Sequence, residues 1–158
     1  GASGTVIAIE PHPVTHARLA FNRSASGFPQ VKLLQAAAGA EDGELLIETD
    51  GDNLGASHIV SGDASGKAIR VPSLRLQRIL QEAAVTRVDA LKIDVEGYED
   101  RALVPFLQSA PAALLPRHIL IETLHANRWT ADLMGEAETR GYRPSWQSDA
   151  DVILSRAG

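Results

Sequence analysis

Residues 88–93 read VDALKI, an apolar run of strand length, and the run stops at Asp94, Val95, Glu96 and Gly97. A strand that ends in two carboxylates and a glycine, followed by a helical pattern, leaves few folds open. In open α/β sheets, ligands bind in the crevice outside the carboxyl ends of the strands. A second acidic strand end stands early in the chain, where VIAI runs into Glu10 and Pro11. The expectation is that these two strand ends face one cofactor–substrate crevice.

The remaining pattern alternates strands with helices. Residues 5–9 are β-branched and apolar, as in a strand covered on both faces, and Pro11 and Pro13 end it. A short helix is expected over 14–22, a turn over 24–29, a strand over 31–37, and a further strand over 44–49. Residues 50–67 are polar and without period, a long loop in which Asn53, Ser57 and His58 sit. Residues 68–72 have strand character and can pair with 44–49. Ser73 is placed to cap a helix over 74–84 whose inner face carries Leu76, Ile79, Leu80 and Ala83. After the 88–93 strand comes a helix over 98–109, with Pro105 expected to kink or split it. Residues 118–122 form another strand ending in an acid, Glu122. Thr130 is expected to cap a helix that Gly141 stops, and residues 142–146 and 151–155 read as an antiparallel hairpin.

At 158 residues the chain fits one domain with room for a real core. Fifteen basic residues against 20 acidic ones leave a formal charge of −5, which gives no electrostatic reason to expect nucleic acid. The absence of cysteine excludes disulfides, thiolate metal sites and a cysteine nucleophile. Apolar runs fall short of the ~18 residues of a membrane span, and residues 1–4 lack the parts of a signal peptide. The expectation is a soluble, cytoplasmic protein with a small-molecule partner rather than nucleic acid or membrane.

The segments VIAIEPHP, VDALKIDVEGYE and HILIE together resemble the FkbM family of S-adenosylmethionine-dependent methyltransferases, with KIDVEGYE the most specific. The resemblance runs from Gly4 onward. It implies an α/β three-layer sandwich with a Rossmann-like, mostly parallel sheet and a C-terminal antiparallel hairpin. It also implies S-adenosyl-L-methionine as cofactor and methyl transfer to a hydroxyl of a sugar or small natural product. Two departures stand out. The family's first strand and its D-x-G-A-N-x-G turn have no counterpart here, so the chain is expected to be a fragment or to receive that piece from another chain. A sheet lacking an inner strand exposes edges that invite pairing between copies. Gln77 also stands where the family commonly carries Asp. The competing readings are a nucleotide-binding oxidoreductase, which calls for a G-x-G-x-x-G turn absent here, and a non-catalytic Rossmann-like interaction domain.

Residue expectations follow. Glu10 accepts hydrogen bonds from both ribose hydroxyls, and His12 lines the adenosine pocket or is a surface histidine. Asp94 and Glu96 lie where related enzymes meet the methyl or the acceptor, and either carboxylate can take the acceptor's proton; Asp94 alternatively caps the next helix. Lys92, inside an apolar strand, is expected to pair with a carboxylate, Asp94 or Glu122. His58, Glu122 and His125, with Asn127 and Arg128 nearby, can shape the acceptor pocket. No histidine spacing suggests a metal, and Trp129 and Trp146 read as packing residues.

Overall fold

The computed structural model describes residues 4–50, 53–60 and 68–157. The chain divides into two compact units, residues 1–38 with 42–74 and residues 39–41 with 75–158.

In the first unit, β1 (Val6–Ile9) lies parallel to β2 (Val31–Leu34), with Val6 opposite Val31 and Ile9 opposite Leu34. The crossover is α1 (Pro13–Ser26). Pro13 opens this helix rather than barring it, because the first helical position needs no N–H donor. The helix runs past the expected residue 22 because its stop is Gly27, left-handed at φ 66°. β1 is not covered on both faces: Val6 is 52% exposed, and β1 pairs with β2 alone among the described residues.

The expected strand over 31–37 is two elements. β2 ends at Leu34, and β3 (Ala37–Ala38) joins a different sheet, parallel to β6 (Ile69–Leu74). In that sheet β4 (Gly43–Asp50) lies between β6 and β5 (Asn53–Val60), antiparallel to both. The pairing expected between 44–49 and 68–72 is present, with Leu45 opposite Val71. Ala37, Ile47 and Val71 form its small core, with Leu45, Ile59 and Ile69 packed against them. The long loop expected over 50–67 instead contains β5, while residues 51–52 and 61–67 lie outside the described ones. Ser73 belongs to β6 and is buried, so it caps no helix.

The second unit begins with α2 (Leu76–Glu82), which follows Arg75 without a side-chain cap and buries Leu76, Ile79 and Leu80 as expected, while Ala83, expected on the same face, is a half-buried C-cap. Then come β7 (Ala90–Ile93), α3 (Glu99–Ser109), β8 (His118–Glu122), α4 (Leu133–Thr139), β9 (Tyr142–Gln147) and β10 (Asp151–Arg156). The sheet order is β7-β8-β10-β9. β7 and β8 are parallel, and β10 is antiparallel to β8 and β9, so the closing hairpin is present. Alternation sets the sheet's buried face, with Ile119 and Ile121 on β8 and Val152 and Leu154 on β10. The pairs Ala102, Leu103 and Phe106, Leu107 give α3 its buried stripe.

Three further details qualify the expectations. Pro105 lies within α3 without splitting it, and Ser109 Oγ donates to its carbonyl at 2.7 Å. Asp132, not Thr130, caps α4 by accepting Gly135 N–H at 2.9 Å. Trp146 is 52% exposed and is not a packing residue. Gly141 follows α4 at φ 85°, as its place after the helix suggested. The fold is thus mixed α/β, with four helices and three small sheets of parallel and antiparallel pairs among the described residues.

Candidate active site

Parallel register brings two acidic strand ends of the second unit side by side. Ile93 on β7 stands opposite Ile121 on β8, so Asp94, just past the end of β7, and Glu122, the last residue of β8, come next along the two strands. The turn after β7 is tight. Glu96 and Gly97 both have left-handed backbones, at φ 55° and 94°. For a glutamate that conformation costs roughly 1–2 kcal/mol, and such strain persists only where the surroundings hold it.

Glu99 does the holding. It is fully buried, and its Oε1 accepts the N–H groups of Val95 at 2.9 Å and Gly97 at 3.2 Å. Its Oε2 accepts Trp129 Nε1–H at 2.8 Å. One carboxylate therefore ties the turn after β7 to the segment after β8. Its neighbour Asp100, also fully buried, repeats the device: Oδ2 accepts from Thr130 N–H, Thr130 Oγ1 and Ala131 N–H at 2.7, 3.1 and 3.0 Å. Asp100 Oδ1 makes no hydrogen bond and faces the Arg101 guanidinium at 3.6 Å. Arg128 completes the frame by donating to the Glu96 carbonyl at 3.1 Å. Gly97 is required twice over, by its φ and because a Cβ there would lie 2.7 Å from Arg128 Cδ and 3.1 Å from His125 Cβ.

Within this frame the structure brings together Glu96, Glu122 and His125. His125 Nδ1 lies 3.5 Å from Glu96 Oε2 and 3.6 Å from Glu122 Oε1. Glu122 is only 8% exposed. Burial pushes its carboxyl above the usual carboxylate range and nearby Glu99 adds to the effect, while His125 opposes it.

Asp94 does not cap α3; Glu99 holds that turn instead. Asp94 pairs with Lys92 Nζ at 2.8 Å. The expected partner of Lys92 is found, but the reason for expecting it was wrong. β7 is an edge strand among the described residues and the lysine side chain is 61% exposed, so this is a surface pair. The side chain of Gln77, the departure from Asp, lies 3.0 Å from Ser109 Oγ and joins α2 to α3.

In the first unit, Glu10 follows β1, and its Oε1 accepts His12 N–H at 2.7 Å. His12 is no surface histidine: it is 7% exposed and caps α1, Nδ1 accepting Val14 N–H at 3.3 Å. His58 lies on β5 in register with Glu48, and its side chain, like those of Asn53 and Ser57, lies outside the described residues.

Sequence reasoning missed Glu99, Asp100 and Trp129 as the frame of the site. One signal was available. Tyr98, the residue at the N-cap of α3, has no capping side chain, and two acids follow it directly. Acids are favoured at the unpaired amides of a helix start, and here both turn to donors outside α3.

A family model described as the methyltransferase FkbM domain matches residues 1–144. No curated protein and no solved structure was found to match the chain.

Proposed function

The chain belongs to the FkbM methyltransferase domain family, and from that premise we propose that it transfers a methyl group from S-adenosyl-L-methionine to oxygen, on a hydroxyl of a sugar or another small natural-product acceptor. The observation that carries this reading is the placement of Asp94, Glu96 and Glu122 at the adjacent carboxyl ends of β7 and β8, with His125 between two of them. Carboxylates are acceptors only, so a crevice lined with them suits donors such as hydroxyl groups.

The donor set of the chain fits this cofactor at one point that geometry supports. Glu10 spends one oxygen on His12 N–H, and its other oxygen has no partner among the described residues, leaving an acceptor for a ribose diol. Glu10 would hold the ribose, with His12 fixing the turn beneath it. When bound, S-adenosylmethionine supplies a methyl group made electrophilic by its sulfonium centre. The chain's own residues then bind and orient. Glu122 and His125 contact the acceptor, and Asp94 and Glu96 are the acids closest to the reaction. Most of the acceleration comes from holding the hydroxyl oxygen in line with the methyl.

The same proposal takes the fold as Rossmann-like, on the family's pattern. It places the reaction in the cytoplasm and leaves nucleic acid and membrane out of recognition. No described helix is long and apolar enough to cross a membrane. Exposed sheet edges such as β7 are where copies of the chain would pair.

The test is methyl transfer from labelled S-adenosylmethionine to a panel of sugars and hydroxylated natural products. Label should enter a hydroxyl acceptor and should be reduced at least tenfold by Glu96→Gln. Cofactor turnover that appears only with amine or thiol acceptors would overturn the choice of oxygen. A lack of cofactor binding would overturn the enzyme reading itself.

A further inference from the structure

Between the two acidic strand ends, one buried nitrogen has no partner. His125 Nδ1 is shut off from solvent and makes no hydrogen bond, although two carboxylate oxygens lie 3.5 and 3.6 Å away. Glu122 Oε2 is likewise buried and unbonded. A bare Nδ1 lone pair here would face only acceptors. A proton on Nδ1 converts the same three groups into a donor between two acceptors, and a movement of about half an ångström brings it into bonding range. The tautomer is thus chosen by the surroundings. With Nδ1–H fixed inward, Nε2 is the acceptor of the neutral ring. The side chain is 32% exposed while Nδ1 is buried, so the exposure falls on the rest of the side chain.

The neighbouring charges fit this arrangement. Asp94 is engaged by the Lys92 ammonium. Arg128 is turned to the Glu96 carbonyl. Both oxygens of Glu99 are engaged, by three donors in all, and Asp94 and Glu99 act on Glu122 only through their charge. Gly97 supplies the close seat, since any Cβ there would press on His125 Cβ at 3.1 Å.

We propose that His125 is the proton acceptor of the site, held as its Nδ1–H tautomer by Glu96 and Glu122 and presenting Nε2 to the acceptor hydroxyl. This rests on the methyl-transfer reading above and assigns the proton which that reading leaves open. The acceptor's O–H bond breaks and its proton forms an N–H bond at Nε2. The oxygen's electron pair forms the new bond to the methyl carbon, and the pair of the broken carbon–sulfur bond stays on sulfur. The imidazolium then releases its proton to solvent. Glu96 and Glu122 are positioning residues.

Two readouts test this without an acceptor in hand. Proton–nitrogen NMR of the imidazole rings reads the tautomer of neutral His125. Carbethoxylation by diethyl pyrocarbonate, located by mass spectrometry, reads the nucleophilicity of Nε2. The full chain should show Nδ1–H and rapid modification at His125. In the double variant Glu96→Leu with Glu122→Leu, which removes both acceptors facing Nδ1, both signatures should be lost while the backbone amide spectrum is retained. If neutral His125 carries its proton on Nε2 in the parent, or if the double variant keeps Nδ1–H, the proposal is overturned. Calorimetry with S-adenosylhomocysteine on the same samples separates the two levels. Absence of binding with the Nδ1–H signature intact defeats the methyl-transfer reading, and with it the role of the proton, but not the held tautomer.

Discussion

Replacing Glu99 by Gln changes one oxygen to an amide nitrogen and alters nothing in size. The buried carboxylate meets three converging donors, Val95 N–H, Gly97 N–H and Trp129 Nε1–H. A carboxamide has one acceptor end, so it can serve the two backbone donors or the indole, never all three. In the better orientation one donor faces the new amide N–H, which costs about 1–3 kcal/mol, and the two remaining bonds lose their charge assistance. Relief from burying a charge offsets part of this. The net destabilisation should be about 2–4 kcal/mol, or a midpoint lowered by roughly 5–15 °C for a chain of this size. Thermal and urea unfolding give the magnitude, and the emission of half-buried Trp129 locates the effect. A Glu99→Gln protein within about 0.5 kcal/mol of the parent, or above it, would show that charge burial outweighs the clamp and would refute the reasoning.

Other expectations come from the same frame. Gly97→Ala combines a left-handed φ of 94° with a Cβ 2.7 Å from Arg128 Cδ; it should destabilise by about 2–5 kcal/mol, read by urea unfolding. Asp100→Ala removes the one oxygen that accepts from Thr130 N–H, Thr130 Oγ1 and Ala131 N–H, and amide exchange at residues 130 and 131 should accelerate at least tenfold. Burial raises the Glu122 carboxyl above its ordinary value. Its contribution to stability is therefore fully present below the ordinary carboxylate range and is lost as pH rises through the raised folded value. Glu122→Gln, which mimics the protonated form, should melt higher than the parent at neutral pH and no higher near pH ~4; a gap that persists in acid would contradict the assignment.

What could be read from the residues, and what could not, divides along physical lines. Strong apolar runs with turn signals gave β8, α2's inner face and the closing hairpin, because burial dictates them directly. β5 stayed hidden because Asn53–Val60 is a largely polar segment held by pairing with β4 rather than by an apolar period of its own. Ser73 and Thr130 misled for a common reason: a hydroxyl residue before an apolar pattern looks like a cap, yet Ser73 is used by a strand and Thr130 by Asp100. Within the site, Glu96, Glu122 and His125 were legible as residues but not as a cluster, since only the β7–β8 register brings them together. Lys92 shows the converse, a correct partner reached through a wrong assumption of burial. Glu99 was passed over because a buried acid that serves neutral donors leaves no charge pattern in the sequence.

Calorimetric titration with S-adenosylhomocysteine, run on the parent chain and on Glu10→Gln, tests the central claim most directly. The glutamine keeps an acceptor for His12 N–H but gives up the second acceptor offered to the ribose diol. Saturable binding by the parent, weakened about 10–100-fold in Glu10→Gln, is the expected result, matching the loss of one or two charged hydrogen bonds. No binding by the folded parent, or equal affinity in the two proteins, would contradict it.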